Sequence, residues 1–246
     1  TDGHWHNLND SVRGAGAGQV LRSNTNSSEG GTSGHVSSFD SDGFTVAAGT
    51  SNAEEVNTSS DNYVAWNWKA GGSAPAITYV VKVVSDSGNK YRFDDFGTSA
   101  VTLDLQEGGT YTFDQSDSSN SGHPLRFYTA SDKSGGEYTT GVTTSGTAGS
   151  SGAKTVITVA ASAPTLYYQC SNHAGMGGQA NTNSTFGSSN FSGSVQSTVS
   201  ANTTAGFSIV SYTGTGSLAT IGHGGGSAPA WLLLSLIHIS EPTRHA

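Results

Sequence analysis

The segment Tyr167-Tyr168-Gln169-Cys170-Ser171-Asn172-His173-Ala174-Gly175-Met176-Gly177-Gly178 holds both the only cysteine and the only methionine of a 246-residue chain. A thiol, an imidazole and a thioether follow one another at intervals of three, on a tight loop at the end of a strand. Soft sulfur with imidazole nitrogen selects copper over hard cations, and a trigonal set of two His and one Cys with a weak axial Met needs one further histidine. His123 is the candidate. It stands in Ser121-Gly122-His123-Pro124-Leu125-Arg126-Phe127, where a Gly-containing turn enters a strand. The distance from His123 to Cys170 leaves room for two or three strands and their loops. A buried Cys and a packing Met are the ordinary alternatives for each residue taken singly; their coincidence around one His favours a metal. Zinc fits less well, because Met is not among its usual ligands. A cysteine nucleophile fits less well still, because no orienting acid is evident.

The elements that must position these side chains read as β-strands. Ile77-Thr78-Tyr79-Val80-Val81-Lys82-Val83-Val84 is a β-branched run, the strongest strand signal in the chain. Tyr91-Arg92-Phe93, Val101 to Leu105, Thr110 to Phe113, Leu125 to Tyr128, Lys154 to Val159 and Thr165 to Tyr168 follow at intervals that suit a small sandwich. Before them, Phe44-Thr45-Val46 follows the turn Asp40-Ser41-Asp42-Gly43, and Tyr63 to Trp68 alternates with period two. After Ala180 the polar style of the N-terminal region returns, with strands at Ser194 to Val199 and Gly206 to Tyr212. The expected organisation is a host β-domain built from residues 1–74 and 184–233, with a copper domain at 75–183 inserted between them.

Composition supports the same class. Hydrophobic residues are 33% and charged residues only 11%, with 34 glycines, which suits short strands and turns and leaves little for amphipathic helices. Ten Lys and Arg against 18 Asp and Glu give a net charge of −8, and the scattered cations argue against nucleic acid as a partner. One cysteine allows no internal disulfide. Trp231 to Leu234 and Leu236 to Ile239 are apolar but too short to cross a bilayer. No signal peptide and no initiating Met open the sequence, as expected of a fragment or a processed chain. His4, His6, His35 and His223 lie among Gly, Ser and Asn and read as exposed turn residues.

The segment from Ile77 to about Asn183 resembles the cupredoxins, the small blue copper proteins such as plastocyanin and amicyanin, which pair an isolated upstream His with a Cys-x-x-His-x-x-Met type loop. The resemblance implies a Greek-key β-sandwich and one type 1 copper ion. The ligands would be His123, Cys170, His173 and axial Met176, and the implied activity is outer-sphere electron transfer with a redox partner that the sequence does not reveal. One departure carries a consequence. In many cupredoxins the upstream His is followed by Asn, whose backbone N–H donates to the cysteine sulfur. Here Pro124 has no N–H, which implies a more electron-rich thiolate and a lower reduction potential.

The flanks carry a second resemblance. Asp10 to Gly16, Ser38 to Phe44, Tyr63 to Gly72 and Gly206 to Tyr212 are similar to concanavalin-like or SPRY-like β-sandwiches (jelly-roll domains) of marine phage tail and virion proteins, and Gly222-His223-Gly224 to a turn that follows there. It implies a virion or extracellular location, virion or host-surface components as partners, and a homotrimer by analogy with tail fibres. Trp66 and Trp68 read as sandwich core rather than a sugar platform. Residues 234–246 resemble a translated sequencing adapter and are expected to be non-native. The overall expectation is an all-β, non-enzymatic copper protein on a structural scaffold, and the alternative is a purely structural or adhesive module.

Overall fold

The computed structural model describes residues 6–11, 13–26, 28–31, 34–48, 56–57, 62–65, 67, 74–182, 187–230, 232 and 234. Trp66, Trp68, His4 and the suspected tail beyond Leu234 lie outside them. The chain is all-β and divides into two compact units, residues 1–67 and 68–246. The first has two short hairpins: β1 (Asn7–Leu8) pairs with β2 (Leu21–Arg22), and β3 (His35–Asp40) with β4 (Gly43–Ala47). Of the strand expected over Tyr63 to Trp68, the described residues 63–65 and 67 are irregular, and Trp66 and Trp68 lie outside the described residues.

The second unit contains a β-sandwich. One sheet has the order β10 (Val142–Ser145), β11 (Lys154–Thr158), β8 (Thr110–Asp114), β5 (Ala76–Ser85) and β6 (Asn89–Phe93). The other has the order β7 (Leu103–Asp104), β13 (Gln179–Asn181), β12 (Leu166–Cys170) and β9 (Leu125–Tyr128). The chain passes repeatedly between the sheets, which makes the β5–β8 and β7–β13 neighbours parallel and the others antiparallel. Successive side chains of a strand face opposite ways. Tyr79 and Val81, Tyr91 and Phe93, Tyr111 and Phe113, Leu125 and Phe127, and Leu166 and Tyr168 therefore meet in one buried core.

A third sheet, β14 (Ser188–Asn190), β15 (Ser197–Asn202) and β16 (Phe207–Tyr212), belongs to the same unit. The sequence groups this stretch with the N-terminal flank, whereas its contacts join it to the sandwich. Tyr79 Oη donates to Ser189 O at 2.8 Å, and the Tyr111 and Ser188 hydroxyls lie 2.6 Å apart. Phe191, only 6% exposed, enters the core with its ring centroid 5.5 Å from Tyr79, 6.0 Å from Phe93 and 5.4 Å from Phe96. Its polar neighbours in sequence hide this role, because the partners of Phe191 all come from the inserted segment. Among the described residues no helix is long and apolar enough to cross a membrane.

A buried aromatic ring cannot be removed without leaving a cavity. Phe191→Ala should destabilise the second unit by about 3 kcal/mol, read by chemical denaturation. A change below about 0.5 kcal/mol, the range of ordinary surface substitutions, would show that Phe191 is not core.

Candidate metal centre

The centre is built at one end of the four-stranded sheet. Antiparallel pairing of β9 with β12 sets Leu125 opposite Cys170. His123 precedes β9 by two residues and His173 follows β12 by three, so both arrive at the same edge. Cys170 Sγ lies 3.8 Å from His123 Nδ1 and 3.5 Å from His173 Nδ1. The two imidazole centroids are 4.6 Å apart. These three residues are the group of candidate metal ligands among the described residues, with all donor atoms within 4.8 Å of one another. A first-row ion held at roughly 2.0 Å by nitrogen and roughly 2.3 Å by sulfur, with trigonal angles, requires N and S to stand about 3.7 Å apart. The donor set fits such an ion.

Cys170 is fully buried, His123 partly buried and His173 exposed. Met176 is 1% exposed and belongs to the core cluster, so the expected axial residue lies at the buried side of the loop. Gln169 anchors it. Its side chain lies on the face of β12 opposite Cys170, and Oε1 accepts from the N–H groups of Met176 at 3.1 Å and Gly177 at 3.2 Å. From the core side, Tyr91 N–H donates to Met176 O at 2.8 Å.

The His123 corner is held with similar density. Gln115 Nε2 donates to His123 O at 2.9 Å while Gln115 Oε1 accepts from Leu125 N–H at 2.9 Å, so one buried amide spans Pro124. Tyr91 Oη also donates to His123 O, at 2.8 Å. His123 N–H donates to Asn120 O, and Asn120 Nδ2 donates to Val81 O. The two ligand segments are tied directly: Ser171 N–H donates to Pro124 O at 3.0 Å, and Asn172 Nδ2 to Gly122 O at 2.9 Å. The other ring nitrogen of His123, Nε2, faces the Asn89 amide at 3.4 Å.

Electrostatics favour the neutral form of His123. Loss of solvation, then the neighbouring His173, holds the His123 imidazolium below the usual histidine range. Its nitrogen therefore stays available to a metal at lower pH than an exposed histidine's would. Burial first, and the adjacent Cys170 second, push the Tyr91 phenol far above its ordinary value, so it remains a hydrogen-bond donor.

Three of the four sequence-identified donors, from two distant stretches, are thus brought together, and Met176, the fourth, is buried in the core cluster that also holds Cys170. The supporting residues Gln115, Asn120, Tyr91, Gln169 and Lys133 were not legible as such. Gln115 leaves one trace in the sequence. It continues the inward phase of Tyr111 and Phe113, where an amide would be costly unless it had buried partners.

Gln169→Leu keeps the bulk but strands two backbone N–H groups. It should cost about 2 kcal/mol of stability and raise amide exchange at Met176 and Gly177, while Gln169→Glu, which keeps an acceptor, should retain their protection. Unchanged exchange in the Leu variant would remove Gln169 from the account of the loop.

No curated protein and no solved structure is significantly similar to the chain. A family model does match, over residues 1–101 and 171–244. The match takes in both flanks, β5, β6, His173 and Met176, and leaves out 102–170, the segment with His123 and Cys170. Since it covers well over half of the residues, the chain belongs to the family described as a domain of unknown function, DUF7483.

Proposed function

We propose that this chain binds one copper ion in a type 1 site formed by His123, Cys170 and His173 with Met176 as weak axial ligand, in a cupredoxin-like sandwich, and that it carries single electrons. The convergence of one buried thiol and two imidazole Nδ1 atoms at the end of the β9–β12 ladder is the observation that supports it. Thiolate, imidazole and thioether together are the donor chemistry that suits copper. When bound, the ion supplies a one-electron couple. The chain's own part is to hold the ligands still. Gln115 and Tyr91 fix the His123 backbone, Gln169 fixes Met176, and the buried position of Cys170 keeps water from the thiolate. A ligand set fixed in this way changes little between oxidation states, which favours transfer without bond making. This reading assigns an electron carrier rather than an enzyme, in a virion-associated or extracellular β-protein, on the resemblance of the flanks.

A second reading, a structural or adhesive module in which copper is incidental, has one observation in its favour. Family similarity follows the flanks and omits the segment bearing His123 and Cys170.

Colour separates the two. Metal-free protein titrated with Cu(II) should develop an intense blue thiolate-to-copper absorption at one equivalent, and Cys170→Ser should abolish it. A weak, colourless adduct in the wild type would favour the structural module.

The Pro124 corner makes a further demand. Cys170 Sγ faces the two imidazoles, and the first N–H after His123, that of Leu125, goes to Gln115 instead. Restoring a backbone N–H in Pro124→Asn should raise the reduction potential measured by cyclic voltammetry. An equal or lower potential in the variant would refute the role given to the missing donor.

A further inference from the structure

The ligand loop's outward-facing backbone is held by ammonium groups from outside it. Lys133 Nζ donates to Cys170 O at 3.2 Å, to Ser171 O at 3.2 Å and to His173 O at 3.4 Å. Lys90 Nζ donates to Gly175 O. The carbonyls of four of the six residues from Cys170 to Gly175 therefore end on a lysine.

The turn that presents Lys133 is shaped for it. Lys133 has φ +68°, the left-handed region that glycine enters without cost and a lysine does not. Its N–H donates to Ala130 O and its carbonyl accepts from Gly136 N–H, which closes the turn on both sides. The nearest acid in sequence, Asp132, is turned away to accept from the N–H and hydroxyl of Ser134. Among the described residues no carboxylate pairs with Lys133, in contrast to Lys82 with Asp95 and Arg126 with Glu137. The ring of Tyr128 lies beneath the ammonium at 5.9 Å from its centroid. A cation without a counter-ion thus sits against the backbone of two proposed ligands.

We propose that Lys133 is a positioning residue of the metal centre, which sets the Cys170–His173 loop in its ligand geometry before metal arrives and tunes the bound ion through its charge. This rests on the copper reading. The physical basis is simple. Three shared charge-assisted hydrogen bonds order a loop whose carbonyls would otherwise face water. A fixed positive charge also disfavours the more positive state of a nearby couple. The couple takes up one electron from a donor, Cu(II) to Cu(I), and no proton or ligand bond needs to change, so the ammonium favours the reduced state.

Lys133→Met keeps the length and removes the charge and the donors; Lys133→Arg keeps both. In the metal-free protein, amide exchange at residues 172–175 should quicken about tenfold in the Met variant, which corresponds to loss of about 1.4 kcal/mol of local protection, and return toward wild type in the Arg variant. In the copper form, cyclic voltammetry should show the preference for Cu(I) weakened about three- to tenfold in the Met variant, the scale of one nearby, partly screened charge, with the Arg variant close to wild type. Wild-type loop exchange or a wild-type potential in Lys133→Met would overturn the proposal. Lack of the blue absorption in the wild type would defeat the copper reading instead, and exchange in the metal-free protein would still report on the clamp.

Discussion

Everything at the proposed centre depends on the register between β9 and β12. The ladder runs from Tyr167 opposite Tyr128 to Cys170 opposite Leu125. A strand alternates faces at every residue, so a slip of one position would turn Tyr168 and Cys170 outward and Gln169 inward. The buried contacts of Phe127, Leu125 and Tyr168 resist that slip, and the same apolar packing that builds the core thereby fixes where the sulfur points. The ladder also determines which loops meet. Because the strands are antiparallel, the residue entering one and the residues leaving the other share an edge, and that geometry brings together two stretches nearly fifty residues apart.

Beyond the ladder, order comes from side chains that bind backbone. Gln115 spans the Pro124 corner, Asn120 ties it to β5, Asn172 ties the ligand loop to Gly122, and Gln169 closes the loop at Met176. Backbone groups at a strand end have lost their ladder partners and are costly to bury unpaired. Side-chain amides satisfy them without adding charge, and Gln115 does so with both its donor and its acceptor. Such a frame is complete without the metal. In the proposed electron carrier the ligands would then have little freedom to reorganise when an electron arrives, which is the physical condition for carrying one rapidly.

Legibility in the sequence followed the strength of local signals. β5, β8, β9, β11 and β12 announce themselves through β-branched or aromatic alternation. β7, β13 and β14, of two or three residues each, do not. Their pairing is imposed by neighbours, as where Ala180 meets Leu103 in parallel, and no local preference encodes it. The Cys170–Met176 loop stands out in the sequence because the single Cys and the single Met flank a His; His123 stands out less, and only geometry brings it to the sulfur. Phe191 and the third sheet fall within the family match together with the N-terminal flank, yet pack on the sandwich. Their sequence texture matches the N-terminal flank, while the surface that Phe191 fills is made by Tyr79, Phe93 and Phe96 from the inserted segment.

That last contact also bears on how the centre relates to the family. The matched region contributes Phe191 to the core and His173 and Met176 to the loop, whereas Cys170 and His123 come from 102–170. The ligand set straddles this seam. Neither segment alone brings the sulfur and both imidazoles together. What the seam does explain is the asymmetry of the site. The sulfur comes from the buried end of β12, an inner strand of the four-stranded sheet, while His173 comes from the exposed loop that follows it. An ion held between them would be shielded from water on the thiolate side and one ring away from solvent on the other. In the proposed electron carrier, that arrangement would let an electron pass through an imidazole without a coordination position opening.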